Sequence, residues 1–209
     1  MDYEHKVAEL LLQIKAIKLD AKKPFTWASG IKSPIYCDNR IALSYPYVRN
    51  LIRRALVHIT KEFAPFQVVA GVATAGIPHG AILADALGLP FIYVRSKAKG
   101  HGRQNQIEGY LEPGAKVLVV EDLISTGGSS MDAIQALIAT DAKISGLLAI
   151  FTYQLEKASQ RFHQAEIPVK TLTNYRTLIA VAEKLNYVEK QDLELLASWR
   201  NAPDRWQPN

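Results

Sequence analysis

Five short, mostly apolar runs, at residues 68–72, 91–94, 117–120, 144–151 and 169–172, alternate with stretches of helical pattern at about 77–87, 128–140, 155–164 and 175–184. A strand wetted on one face alternates apolar with polar residues, so runs without that alternation predict strands buried on both faces. Buried strands joined by helices make a mostly parallel sheet covered on both sides. The expected class is therefore α/β, a mostly parallel central sheet flanked by helices. No internal repeat and no linker divides the 209 residues, a length that suits one domain. Residues 1–209 are read as that single domain, with residues 1–45 contributing a small N-terminal subdomain.

The flanks follow the same logic. Val7, Leu10, Leu11, Ile14 and Ile17 recur at helical spacing over residues 4–17. Residues 24–44 read as loop or strand. A second helix is expected after Pro46, with Val48, Leu51, Ile52, Ala55, Leu56 and Ile59 as its buried stripe, proline being compatible with a first helical turn. Residues 189–200 read as a final surface helix.

Charge and cysteine narrow the function. The chain carries 25 Lys and Arg against 20 Asp and Glu, a net +5, and the densest cluster is the stretch VRSKAKGHGR ending at Arg103. A basic excess suits nucleic acid, an anionic surface or phosphorylated small molecules. No nucleic-acid-binding motif accompanies it, so nucleic acid is not expected as a partner. No apolar run reaches membrane-spanning length, and no membrane partner is expected. The lone Cys37 makes no internal disulfide, and the N-terminus lacks a signal-peptide layout, so the expected location is cytoplasmic.

In open parallel sheets, ligands bind beyond the carboxyl ends of the strands. At one such end, four apolar residues run into Glu121 and Asp122, then Ser125-Thr126-Gly127-Gly128-Ser129 opens a helix. Glycine lets backbone approach a ligand, and converging N–H groups at a helix N-terminus hold an anion. The carboxylates have the wrong sign for phosphate but suit vicinal sugar hydroxyls or a magnesium-bound water. The combination fits a sugar phosphate, although the serine–glycine loop alone also fits a plain helix cap. There is no Walker A ending and no dinucleotide glycine spacing.

Three other segments carry chemistry. The loop 95–109 gathers Arg95, Lys97, Lys99, His101 and Arg103 among three glycines, cations that would stabilise a departing pyrophosphate or simply lie solvated. The turn 71–78, ending in Ala75-Gly76-Ile77-Pro78, offers backbone donors for a second anion, or is an ordinary strand–helix turn. Residues 24–40 combine aromatics, hydroxyls and Lys32; Tyr36 could stack on a flat anionic base and Lys32 or the Ser29-Gly30 amides could take its carboxylate, or the segment is an aromatic-anchored surface loop.

The thirteen residues from Val117 to Ser129 resemble the phosphoribosyl pyrophosphate signature of the type I phosphoribosyltransferases. That resemblance implies donor contacts along Glu121, Asp122, Leu123, Ile124, Ser125, Thr126, Gly127, Gly128 and Ser129, with the acids on ribose hydroxyls and Ser125 to Ser129 around the sugar phosphate. It implies further donor contacts at Thr74 and Ala75, with a cis peptide near Ala73-Thr74, and many relatives have lysine at position 75. The basic loop resembles the catalytic loop of orotate phosphoribosyltransferases at Arg95, Lys99 and His101, which would bind the donor. Lys99 and His101, with Asp122, are the implied catalytic residues. In that family the loop reaches across a homodimer. Ser-Gly-x-Lys-Ser-Pro resembles the same family's hood, implying orotate contacts at Lys32, Tyr36 and Ser125. Relatives have lysine at position 28 and an arginine near Tyr153 or Gln154. The implied partners are phosphoribosyl pyrophosphate and orotate, and the implied cofactor is Mg2+, held through substrate and water rather than by a protein cage. Other bases (adenine, xanthine, uracil), a donor-sensing regulator that binds nucleic acid, and a generic sugar-phosphate binding protein are the rival readings.

Overall fold

The computed structural model describes residues 2–27, 30–96 and 106–206. The chain runs α1 (Tyr3–Gln13), β1 (Ile17–Leu19), β2 (Phe25–Thr26), β3 (Lys32–Ser33), β4 (Ile35–Cys37), a 3-10 turn (Asn39–Ser44) and α2 (Pro46–Ile59). It continues β5 (Val68–Val72), α3 (Gly76–Leu87), β6 (Phe91–Val94), β7 (Ile107–Glu108), β8 (Lys116–Ile124) and α4 (Gly128–Ile138). The remainder is β9 (Lys143–Thr152), α5 (Glu156–Gln164), β10 (Val169–Asn174), α6 (Tyr175–Lys184) and α7 (Leu193–Asn201). Among the described residues no helix is long and apolar enough to cross a membrane.

Six strands form the main sheet in the order β10-β9-β8-β5-β6-β7. All neighbours are parallel except β7, which returns antiparallel along β6. Strand residues point alternately to the two faces. Val69, Leu118, Val120, Leu148 and Ile150 join one core with residues of α1, α2, α3 and α6. Val68, Ala70, Val117, Val119, Leu147 and Ala149 join the other with residues of α4 and α5. Both faces are covered, which is why these runs contain so few polar residues. The carboxyl ends of β5, β6, β8 and β9 meet at one edge of the sheet.

The N-terminal region adds two small antiparallel pairs, β1 with β4 and β2 with β3. The predicted helix over 4–17 stops at Gln13, because Lys15 takes a left-handed φ of 57° and turns the chain into β1, where Ile17 faces Cys37 across the ladder. The short strand expected at 117–120 runs on through both acids to Ile124, since β9 keeps pairing alongside: Glu121 faces Ala149 and Ile124 faces Thr152. The basic segment is not loop throughout, for β7 closes a hairpin on β6. The final helix lies on the surface as expected, but one face is anchored in the core. α7 buries Leu196 and Trp199 completely, and the Trp199 indole Nε1 donates to the Lys32 carbonyl at 3.2 Å.

Candidate active site

Two helices start at the same sheet edge without any side-chain cap. α3 begins after Ala75 and α4 after Gly127, on the strands β5 and β8, which are neighbours. Their first-turn N–H groups have no partner within their own helix, which is the usual basis of an anion site. Thr74 and Ala75 lie in the first of these turns, and the Ala73–Thr74 bond is cis, at the position the resemblance implied. Gly76 is required here: a Cβ on it would lie 2.5 Å from the Val120 carbonyl and 3.2 Å from the Glu121 Cα. The turn therefore packs directly on the acid-bearing end of β8.

The second turn is braced from behind. Gly127 has φ +74°, and a Cβ there would strike the Phe162 ring at 2.8 Å. Arg161 of α5 donates from Nη1 to the Thr126 carbonyl at 2.8 Å, which also brings a cation up beside the turn. Between the two turns lies a cavity of about 240 Å³, lined by Ala73, Arg95, Ser96, Gly128, Ser129 and Asp132 among others. Arg95 is held at its rim by an ion pair to Glu108 at 3.4 Å and by backbone bonding to Gln106. Lys99 and His101, with Lys97 and Arg103, lie outside the described residues.

Glu121 is buried, and its carboxyl group faces the second turn. Oε2 accepts from the Ser129 hydroxyl at 3.3 Å and the Ser130 hydroxyl at 3.2 Å, while Oε1 accepts from the Asp122 N–H at 3.1 Å. Burial, and then the charge of Asp122, push the Glu121 carboxyl up to about 8. Burial also raises Asp122, which is half-buried, while Arg40 acts to lower it. Two acids this close in a poorly solvated place share protons rather than both ionise freely.

On the other side of β8 is a second cavity, of about 250 Å³, lined by Thr26, Trp27, Tyr36, Cys37, Leu123, Ser125 and Tyr153. Tyr36 and Ser125 are thus brought together, as is Leu123 from the donor signature. Lys32 is exposed and does not itself line the cavity, but its Nζ donates to the hydroxyl of the lining residue Thr26 at 2.8 Å. Behind the cavity the Trp27 ring lies 5.0 Å from Tyr153, and Trp199 packs edge-on against both at 5.6 Å. Burial holds the phenol of Tyr153 and the thiol of Cys37 well above their ordinary ranges, so both stay protonated near neutral pH. Sequence reasoning missed Trp27, Tyr153 and Trp199 as a wall, Arg161 as a brace, and Asn39, which bonds to the Asp122 backbone. No periodic signal marks any of them.

These features define a class. Two anion turns on adjacent strands, a carboxyl pair between them and an aromatic cavity beyond are the arrangement for a doubly phosphorylated sugar and a flat base. The family model of the phosphoribosyl transferase domain matches residues 45–191, and the chain belongs to that family. The orotate phosphoribosyltransferase of Listeria monocytogenes is 54% identical over 207 residues, covering 99% of each chain. That of Lactococcus lactis is 52% identical over 208 residues, covering 99% of this chain and 100% of its own. The crystal structure of orotate phosphoribosyltransferase from Aeropyrum pernix, 28% identical, superposes with a TM-score of 0.76 over 88% of this chain and 99% of its own.

Proposed function

We propose that the chain transfers the 5-phosphoribosyl group of phosphoribosyl pyrophosphate to orotate, releasing pyrophosphate and forming orotidine monophosphate for pyrimidine nucleotide synthesis. One observation carries the reading. The carboxyl pair at 121–122 stands between an anion turn braced by Arg161 and a base-sized cavity walled by Tyr36 and Tyr153. The full-length identity to orotate phosphoribosyltransferases supports orotate over another base.

In this reading the ring nitrogen of orotate supplies the electron pair for the new bond to C1 of the ribose. The pyrophosphate oxygen leaves with the electrons of the old one. The turn at Ser125 to Ser129 holds the sugar phosphate, and the turn at Thr74 and Ala75 holds pyrophosphate oxygens. Positioning and stabilisation of the leaving charge supply most of the acceleration. Arg95, Lys99 and His101 are assigned to that charge, and Lys32 to the orotate carboxylate. Asp122, with Glu121, is assigned to the ribose hydroxyls.

Mg2+ fits this donor set as an ion carried mainly by substrate oxygens and water, with Glu121 and Asp122 as the carboxylates at hand. Among the described residues no three His, Cys, Asp or Glu groups converge to cage a metal. When bound, it would offset pyrophosphate charge. We also assign a cytoplasmic location, on the single cysteine, and a homodimer whose basic loops are shared between subunits. Mixing Lys99→Ala with Asp122→Asn subunits tests the sharing, since a shared loop restores activity in mixed dimers and a private one does not.

Pyrophosphate release from donor and orotate, assayed beside adenine, uracil and xanthine, tests the whole. Turnover with orotate alone is expected. Turnover with another base, or with none, overturns the assignment.

A further inference from the structure

We propose that Asn39 is a positioning residue that ties the wall of the base cavity to the backbone of the carboxyl pair. The proposal rests on the phosphoribosyl transfer reading above and deepens it.

Asn39 is completely buried. Its side-chain amide Nδ2 donates to the Asp122 carbonyl at 2.8 Å, across 83 positions of sequence. Its Oδ1 accepts from the Cys37 thiol at 3.4 Å, and Cys37 lines the cavity. A buried amide left unpaired is costly, and this one is used at both ends, once on each substrate side.

The sheet explains why the bond is needed. β5 pairs with β8 only as far as Val120, whereas β9 accompanies β8 to Ile124. Beyond Val120 the backbone of β8 has lost its ladder partner on the β5 side, just where the acids stand. A buried carbonyl there requires a donor from outside the sheet, and Asn39 supplies one at Asp122. The segment that carries Asn39 also carries Tyr36 and Cys37 of the cavity wall. It carries the Asp38–Arg40 ion pair as well, at 2.7 Å, whose guanidinium weakly opposes the rise that burial causes in Asp122. The base wall and the sugar carboxyls thus share one hydrogen-bonded frame, and Asn39 is its joint.

The test compares Asn39→Ala and the isosteric Asn39→Asp, which replaces the donor by an acceptor, with Thr60→Ala. Thr60 is also buried, but its hydroxyl donates to the Val57 carbonyl at 2.8 Å at the end of α2, before β5 begins. For Asn39→Ala, kcat/KM for the donor is expected to fall about tenfold to a hundredfold, as for one lost buried hydrogen bond at a reacting centre. Asn39→Asp falls further. Thr60→Ala lowers the thermal midpoint but leaves kcat/KM within about twofold of wild type. Wild-type kinetics in both Asn39 variants, or a loss that Thr60→Ala reproduces at equal thermal destabilisation, would overturn the positioning role. A wild-type protein that makes no orotidine monophosphate would instead remove the reading on which the role rests.

Discussion

Between Glu121 and Ser130 a single strand, turn and helix supply the carboxyl pair and the turn proposed to hold the sugar phosphate, with outside support from Arg161 and Asn39 among others. The base cavity is assembled otherwise. Its lining comes from Thr26, Trp27, Tyr36, Cys37, Leu123, Ser125 and Tyr153, and its rear wall leans on Trp199 near the end of the chain. A local device is fixed by its own backbone. An assembled one depends on packing between elements far apart in sequence, so the two halves should fail differently when disturbed.

The largest disturbance falls on the assembled half. Trp199 is fully buried, touches Trp27, Tyr153 and Tyr175, and bonds the Lys32 carbonyl. Truncating such a side chain costs about 3–5 kcal/mol of stability. Trp199→Ala is expected to lower the unfolding free energy by about that much and to raise KM for orotate well above any change in KM for the donor. Denaturant titration and two-substrate kinetics measure both. Equal losses for the two substrates would erase the distinction between the halves.

The complementary disturbance is Gly127→Ala. The left-handed φ of 74° and the Phe162 ring at 2.8 Å both oppose a methyl group. Strain of this kind costs about 1–3 kcal/mol, to be met by shifting the turn. Donor affinity measured by calorimetry should fall about tenfold or more. Orotate specificity among bases should survive, because the aromatic walls Trp27, Tyr36 and Tyr153 lie outside the turn. A variant that kept its donor affinity would show that the turn holds no phosphate.

The same contrast explains what could be read from the sequence. The apolar runs reported the buried sheet because burial on both faces forbids alternation, and the acid–serine–glycine segment reported its turn because all its parts are contiguous. Nothing local could report Trp199, whose partners at 27, 153 and 175 are joined only by folding. Residues 189–200 carry a charged outer face that masked one deeply inserted indole. The apolar run ends at Val120, four residues before β8 does, because Glu121 and Asp122 look like the end of an apolar strand, while β9 pairing carries the ladder past them. Lys15 broke the first helix through a left-handed φ that no residue type there advertises.

The smallest effect bears on the joint between the halves. Glu121 is pushed from 4.5 to about 8 by burial and by Asp122. The folded chain thus binds this proton more tightly than the unfolded chain does. Between 4.5 and about 8 the unfolded state holds fewer protons, so stability is full below that window and declines as pH rises through it. Glu121→Gln keeps the shape of the neutral carboxyl and removes the titration. The wild-type thermal midpoint should therefore fall further than that of Glu121→Gln as pH rises across the window. Parallel pH profiles would mean that Glu121 is already ionised in the folded protein and that Ser129 and Ser130 solvate it better than burial penalises it. The carboxyl pair would then enter the reaction with two charges, and the ribose would meet a more strongly accepting edge than the one derived from its burial.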